Sequence, residues 1–499
     1  MSCTYLQTVN LLIFTVSSDL IRLLLNVTGS NINIACLRLH RKDDTAVVDY
    51  LTVILVIVVA VSLKKVQRSV HLPYTVFMFI AGLSISYRDT GSKGHGSLSV
   101  WLRGTKFHVL MTFVPAATVY ATLGINHFIF RRCHKEIVVF SVGTLGISTL
   151  VCALYAFIFM GTNTLKNSLI FGILLCSNER FPMADKLFEE GRYPILTTML
   201  QAESALNNIF VWSVLGYVDD RLSGRSDIWT LLKHLVLKHA VGLVFGVAMG
   251  TLAIRSLRLA PQSQSSNTIL LVVLTYVTFC TLEWSGSSGV DGVVAFTLMT
   301  NSNRLVACTE LEGLLQKYWS AIYDVSGFMS LFMTSLYTGE LLFIFFQKEE
   351  LKYAIWSYCM RTLVRFFAVA ALFPIIEQFG YPVSWRQAVV TVWMGLKGPL
   401  NITVVTYYYH RQATTNVDFV AKTFLNMVCD TFLTQLINLT FLESVFRIFG
   451  GVFPITSSVN DISQHPAVKD GEVHIASTRA DRCQNAPSTE VITSSLKGG

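Results

Sequence analysis

The sequence predicts an all-α integral membrane protein with about thirteen transmembrane helices, and three observations carry that expectation. Of 499 residues, 52% are hydrophobic and only 14% charged, a balance that a water-soluble surface of this size does not tolerate. Apolar stretches near the membrane-crossing length of about 20 residues recur along most of the chain. The connections between them are mostly short, which leaves no room for a soluble core. Soluble enzymes are therefore poor candidates. The net charge of +8 is spread thinly over many loops, so nucleic-acid binding is unsupported. The ten cysteines include no CxxC pair and read as small apolar packing residues, neither a disulfide frame nor a zinc site.

In chain order, the segment 9–27 is apolar but carries Asp19 and Arg22, so it is an interfacial helix or a weak span and is left out of the count. Spans are expected over 46–63, 70–87, 107–124, 136–160, 168–189, 194–217, 233–257, 268–283, 288–303, 318–346, 352–378, 386–409 and 418–449. The domain plan is an N-terminal segment 1–45, a transmembrane domain 46–450 and a polar tail 451–499, expected to be cytosolic and disordered. Lys64, Lys65, Arg68, Arg131, Arg132 and Lys135 favour one side of the membrane. Arg88, Lys93, Arg103, Lys106, Arg221 and Arg225 nearly cancel them, so charge alone does not orient the chain.

Ionisable residues inside a span mark a bundle interior, an ion path or a water-filled cavity. The first such region is Cys176-Ser177-Asn178-Glu179-Arg180-Phe181-Pro182, where Pro182 is expected to bend or break the helix and the polar run to satisfy the freed backbone groups. Broken helices of this kind build midplane sites in transporters, whose free helix ends offer carbonyls and partial charges to an ion. An ordinary loop between two helices is the competing reading. The second region is Glu203-Ser204-Ala205-Leu206-Asn207-Asn208, in which Glu203 and Asn207 share one helix face with Asn208 beside it. A polar seam between helices would explain it equally well. The third region is cationic: Arg361 and Arg365 lie within 352–378 and Lys397 within 386–409. Cations at that depth need partners, and Glu203, Asp324 and Asp291 are the candidates, with snorkelling the alternative for Arg361.

These residues resemble a family. Glu203-Ser204-Ala205-Leu206-Asn207-Asn208 is similar to the G-E-S-L-L-N-D motif of sodium/proton exchangers, and Trp393-Met394-Gly395-Leu396-Lys397-Gly398 to their W-G-G-L-R-G. Trp319-Ser320-Ala321-Ile322-Tyr323-Asp324, Phe113-Val114-Pro115 with Gly124 and Asn126, Ser288-Gly289 and Phe188-Glu189-Glu190 resemble further motifs in the family's order. The chain thus resembles the monovalent cation/proton antiporter superfamily over roughly 46–450, with Lys397 closer to the sperm-type branch. The resemblance implies an inverted-repeat antiporter fold with two discontinuous crossing helices, a homodimer in the plasma membrane, and exchange of Na⁺ (or Li⁺ or K⁺) for H⁺. It implies no cofactor beyond the transported ions, which would sit near Asn207 and Asn208. Arg365 would match the family's buried Arg, and Lys397 replaces the Arg of W-G-G-L-R-G.

Two departures bear on mechanism. The family's ion-carrying Asp is Asn208 here, and an amide offers an oxygen to Na⁺ but does not titrate. The family's T-D-P is replaced near Ser177-Asn178-Glu179-Arg180. The candidate ion-binding set is therefore Asn178, Glu179, Glu203, Asn207, Asn208 and Asp291, with Asp324, Arg365 and Lys397 as structural charge partners. Three functions follow: an exchanger with a relocated carboxylate, a transport-inactive regulatory homologue, or a transporter of another solute for which Arg180 would hold an anion. No nucleotide-binding loop, metal cluster or base-activated nucleophile points to an enzyme or a primary pump.

Overall fold

The computed structural model describes residues 58, 61–64, 73–91, 113–160, 165–179, 194–220, 228–259, 263–302, parts of 311–334, 350–378, 384–412 and 417–450. Every regular element among them is helical. The expected weak segment 9–27, the tail, most of the span 46–63, and the residues Arg180, Pro182 and Phe188-Glu189-Glu190 lie outside the described residues.

The helices are α1 (Tyr74–Gly91), α2 (Phe113–Leu123), the short α3 (His127–Arg132), α4 (His134–Phe159), α5 (Leu165–Cys176) and α6 (Pro194–Asp220). There follow α7 (Ile228–Leu259), α8 (Gln264–Trp284), α9 (Gly289–Asn301), α10 (Glu350–Gln378), α11 (Trp385–Trp393), α12 (Pro399–Gln412) and α13 (Val417–Leu433). Beyond Leu433 the last helix continues to Gly450 through wider π turns at Thr434–Leu439 and Phe446–Gly450. Caps set several of these ends. Ser384 and Gln387 form a reciprocal capping box at α11, and Ser288 caps α9 by accepting from the Asp291 amide.

Five of the described helices are long and apolar enough to cross a membrane: His134–Phe159, Val236–Leu259, Gln264–Trp284, Lys352–Gln378 and Phe419–Phe449. Their outward faces carry Leu150, Leu154, Phe159, Val244, Phe366 and Phe367, which water would reject and hydrocarbon accepts. The inward faces are the reverse of a soluble core. They bury Arg361, Arg365 and Asp430, and the interior between them buries Lys397, Glu179 and Glu203 together with many threonines and asparagines. Polar groups gather inside because lipid offers them no partners.

Two packing relations hold the bundle close. On α7, Gly242, Gly246 and Gly250 form a stripe against α9, where a Cβ at Gly246 would sit 2.2 Å from the Gly292 carbonyl oxygen. Small residues at this spacing let helix backbones approach in lipid. On the other side α4 packs along α5 and α10, and α10 along α13, which surrounds the two helices that do not run through: α5 stops at Cys176, and the span expected as continuous over 386–409 is split into α11 and α12 by residues 394–398.

Candidate functional site

The two interruptions meet. The Glu179 amide donates to the Leu396 carbonyl oxygen at 2.9 Å, so the extended stretch after α5 lies across the break between α11 and α12. The break in the first helix comes at Ser177, ahead of the proline that the sequence singled out. It is fixed by partners more than two hundred residues away.

The free helix ends are matched by charge. At the start of α12, the Leu400 and Asn401 amides donate to Glu179 Oε2 at 3.0 and 3.3 Å, which places a carboxylate on the positive end of that helix. Tyr323 donates its hydroxyl to Glu179 Oε1 at 2.7 Å. Gly398 lets the carboxylate come this close, since a Cβ would lie 2.5 Å from Glu179 Oε2 and push that side chain aside. At the end of α5, Lys397 Nζ donates to the Leu174 carbonyl oxygen at 2.7 Å and places a cation on the negative end.

Two buried ion pairs flank the crossing. Arg365 binds Glu203 through both nitrogens, at 2.8 and 3.1 Å, and Glu203 Oε1 also accepts from Asn178 at 3.2 Å and Thr144 at 3.4 Å. Arg361 donates to Asp430 Oδ1 at 2.9 Å, to the Gly395 carbonyl oxygen and to Thr434, while Lys397 stands 3.8 Å from Asp430 Oδ2. Arg361 is thus a buried structural cation. The Arg365–Glu203 pair is bidentate, the Arg361–Asp430 pair is not, and in either desolvated pair removing one member strands the other charge.

Of the expected ion-binding residues, the structure brings Asn178, Glu179 and Glu203 to the crossing and buries Asn207 and Asn208 on α6 beside it. Neither amide atom of Asn207 has a hydrogen-bond partner, nor do Asn178 Oδ1 and Asn208 Nδ2. Asp291 stands apart, at the start of α9, where His239 Nδ1 lies 2.5 Å from its Oδ2. Asp324 pairs with Lys64. Of the three proposed acids only Glu203 therefore neutralises one of the intramembrane cations, and the acid serving Arg361 and Lys397 is Asp430, which the sequence reading did not single out. Its signal was present: an aspartate in the middle of the apolar span 418–449. Tyr323 and Asn401 were missed too, because their role depends on which helix crosses them.

A helical membrane bundle in which two interrupted helices cross at their breaks, with each free end met by a buried charge, defines the crossed-helix class of membrane transport fold. The family model "Sodium/hydrogen exchanger, transmembrane" matches residues 51–455, and the chain belongs to that family. It is 24% identical over 365 residues to Sodium/hydrogen exchanger 7 of Arabidopsis thaliana, a match covering 70% of this chain and 32% of that protein. Solute carrier family 9 member C1 of Mus musculus is 21% identical, with 70% and 30% covered, and the Na(+)/H(+) antiporter NhaG of Bacillus atrophaeus is 22% identical, with 70% and 66% covered. The chain therefore spans only about a third of the length of the first and second of these relatives. Among solved structures, the sodium proton antiporter MjNhaP1 of Methanocaldococcus jannaschii aligns with TM-scores of 0.60 and 0.65 at 14% and 12% identity. The alignments cover 80% and 81% of this chain and 98% of that one, so the two share a fold.

Proposed function

We propose that the chain is a secondary transporter that exchanges a monovalent cation, Na⁺ with Li⁺ or K⁺ as competitors, for a proton. The observation that carries the reading is the crossing itself: two helix breaks locked to each other by Glu179 and Leu396, next to the buried Asn207 amide, neither end of which has a partner, and the unpartnered Asn178 Oδ1. Such amides suit an incompletely hydrated ion, which needs oxygens at its surface and tolerates few.

The missing carrier acid has a replacement in this reading. Glu203 is held by Arg365, Asp430 by Arg361 and Lys397, and Asp291 by His239. Glu179 is buried with neutral donors on both oxygens, and its partner Tyr323 can turn from donor to acceptor when the acid takes up a proton. Glu179 is accordingly the carboxylate assigned to proton coupling. The relatives named as sodium/hydrogen exchangers and antiporters support Na⁺ and H⁺ as the exchanged pair. A homodimer in the plasma membrane, with 46–450 as the exchanger domain and 451–499 as a cytosolic tail, completes the proposal.

The test is a proteoliposome flux assay with imposed Na⁺, Li⁺ and K⁺ gradients and an internal pH dye. Cation-driven proton movement is expected. Vesicles that stay silent for all three cations would instead favour the regulatory homologue, the reading to which Asn208 in place of the family's Asp gives its weight.

A further inference from the structure

Among the buried cations at the crossing, Arg361 and Arg365 each make several hydrogen bonds, whereas the Lys397 side chain makes one. Its Nζ donates to the Leu174 carbonyl oxygen at 2.7 Å, in the last turn of α5, and stands 3.8 Å from Asp430 Oδ2 on α13. The second distance is within ion-pair range but too long for a hydrogen bond. Asp430 Oδ2 is buried and has no hydrogen-bond partner among the described residues, although Arg361 holds the other oxygen of the same carboxylate at 2.9 Å. A buried acceptor left open costs free energy, and the ammonium group beside it is committed elsewhere.

The backbone of Lys397 is anchored and its head is not. Gln435 donates to the Lys397 carbonyl oxygen at 3.2 Å, which ties the residue to the last helix, while the four-carbon stem turns about its own bonds. Closing the gap to Asp430 Oδ2 by about 1 Å gives an ordinary N–H···O contact. The last carbonyls of α5, which carry the negative end of that helix, would then lie bare at the break, where Asn178 Oδ1 and the Asn207 amide also lack partners. An arginine, the residue of the family's W-G-G-L-R-G, presents a rigid fork of donors that can hold two acceptors at once. The compact ammonium group of Lys397 holds one of them here.

We infer that Lys397 is a tethered competitor of the transported cation: its ammonium group occupies the negative end of α5 before the ion arrives and withdraws to Asp430 Oδ2 when the ion binds, so that Lys397 sets the affinity for the cation. The inference rests on the exchanger reading for the identity of the ion and deepens it by naming what the ion displaces. Like charges repel strongly in a low-dielectric interior, so the ion and the ammonium group do not share one helix end. Withdrawal gives the helix end to the ion and gives the open oxygen of Asp430 its donor. Only hydrogen-bond partners change, and no covalent bond is made or broken.

The experiment measures Na⁺-dependent thermal stabilisation of the full chain in mild detergent, with choline chloride holding the ionic strength constant, together with flux in proteoliposomes, for wild type, Lys397→Met and Lys397→Arg. Lys397→Met removes the competing charge and leaves Asp430 paired with Arg361, so the Na⁺ concentration for half-maximal stabilisation should fall about tenfold, the equivalent of about 1.4 kcal/mol. Lys397→Arg keeps a cation on the helix end and should raise that concentration by a similar factor. The opposite signs separate this role from a structural one, because a lysine that only neutralises the end of α5 predicts weaker Na⁺ binding in Lys397→Met. A Lys397→Met value equal to or above wild type overturns the inference. If that variant does not fold, a Lys397→Arg that binds Na⁺ as tightly as wild type overturns it instead. Absence of any Na⁺ stabilisation in both wild type and Lys397→Met also overturns it. If wild type binds Na⁺ but moves no protons, the exchanger reading fails while the binding series still decides Lys397.

Discussion

At the scale of single residues, the crossing is a set of charges each with a named counterpart, and two substitutions probe it. Glu203→Gln keeps the shape of the side chain but leaves Arg365 buried against a neutral amide. The fold should lose about 3–5 kcal/mol, read as a lower melting temperature in mild detergent. A variant that melts like wild type while flux disappears would make Glu203 an ion carrier and not a structural partner. Asn208→Asp restores an acid in the cavity that Asn208 and Asn401 line, with little change of volume. Na⁺-driven proton movement should rise, and it should fall again as the medium is acidified and the new carboxylate is neutralised. If the rate stays at the wild-type value, the coupling acid already present is sufficient. That Glu203 pairs with a buried cation was legible in the sequence because the residues are ionisable and deep in apolar spans, but the choice of Arg365 over Lys397 was not. Asp430 was equally visible by that criterion, but choosing it as the partner of Arg361 and Lys397 required knowing that α13 runs beside α10 and the break at 394–398. Hydropathy carries no such information about neighbours.

At the scale of helices, what the sequence conveyed was where apolar segments lie, and what it concealed was where they stop. The spans expected over 136–160, 268–283 and 352–378 match α4, α8 and α10 within a few residues, since length and hydropathy alone define a lipid-facing helix. The span expected over 168–189 ends instead at Cys176, and that over 386–409 is two helices. Both breaks are stabilised by contacts distant in sequence, Glu179 on Leu396, Leu400 and Asn401, and Lys397 on Leu174. The family resemblance implied two discontinuous helices but did not place the second break at 394–398. The α7 and α9 contact gives a test of helix packing away from the crossing. Gly246→Leu drives a side chain into the Gly292 backbone, where even a Cβ has 2.2 Å to the carbonyl oxygen. Overpacking costs of about 1–3 kcal/mol or more are expected, seen as a lower melting temperature and aggregation on size-exclusion chromatography. A variant as stable as wild type would show that α9 can shift outward without loss.

At the scale of the whole molecule, the charge bookkeeping of the crossing and the apolar exterior lead to one requirement. The interior charges are held to one another and to the free helix ends by ion pairs and backbone bonds, so the crossing acts as a stiff unit, whereas the outer faces of α4, α7 and α10 present leucine, valine and phenylalanine that make no comparable commitment. If transport moves the crossing relative to the membrane, some other part of the bundle has to stay fixed, and a second copy of the chain is the simplest anchor because identical surfaces pair with two-fold closure. Native mass spectrometry in mild detergent, and crosslinking in membranes at low protein density, should therefore show a dimer. The interface should involve helices outside the crossing, so that Glu203→Gln weakens the fold of each copy without changing the dimer fraction among folded molecules. A strictly monomeric particle that still exchanges cation for proton would mean that the lipid alone anchors the fixed part, and the dimer would drop out of the mechanism.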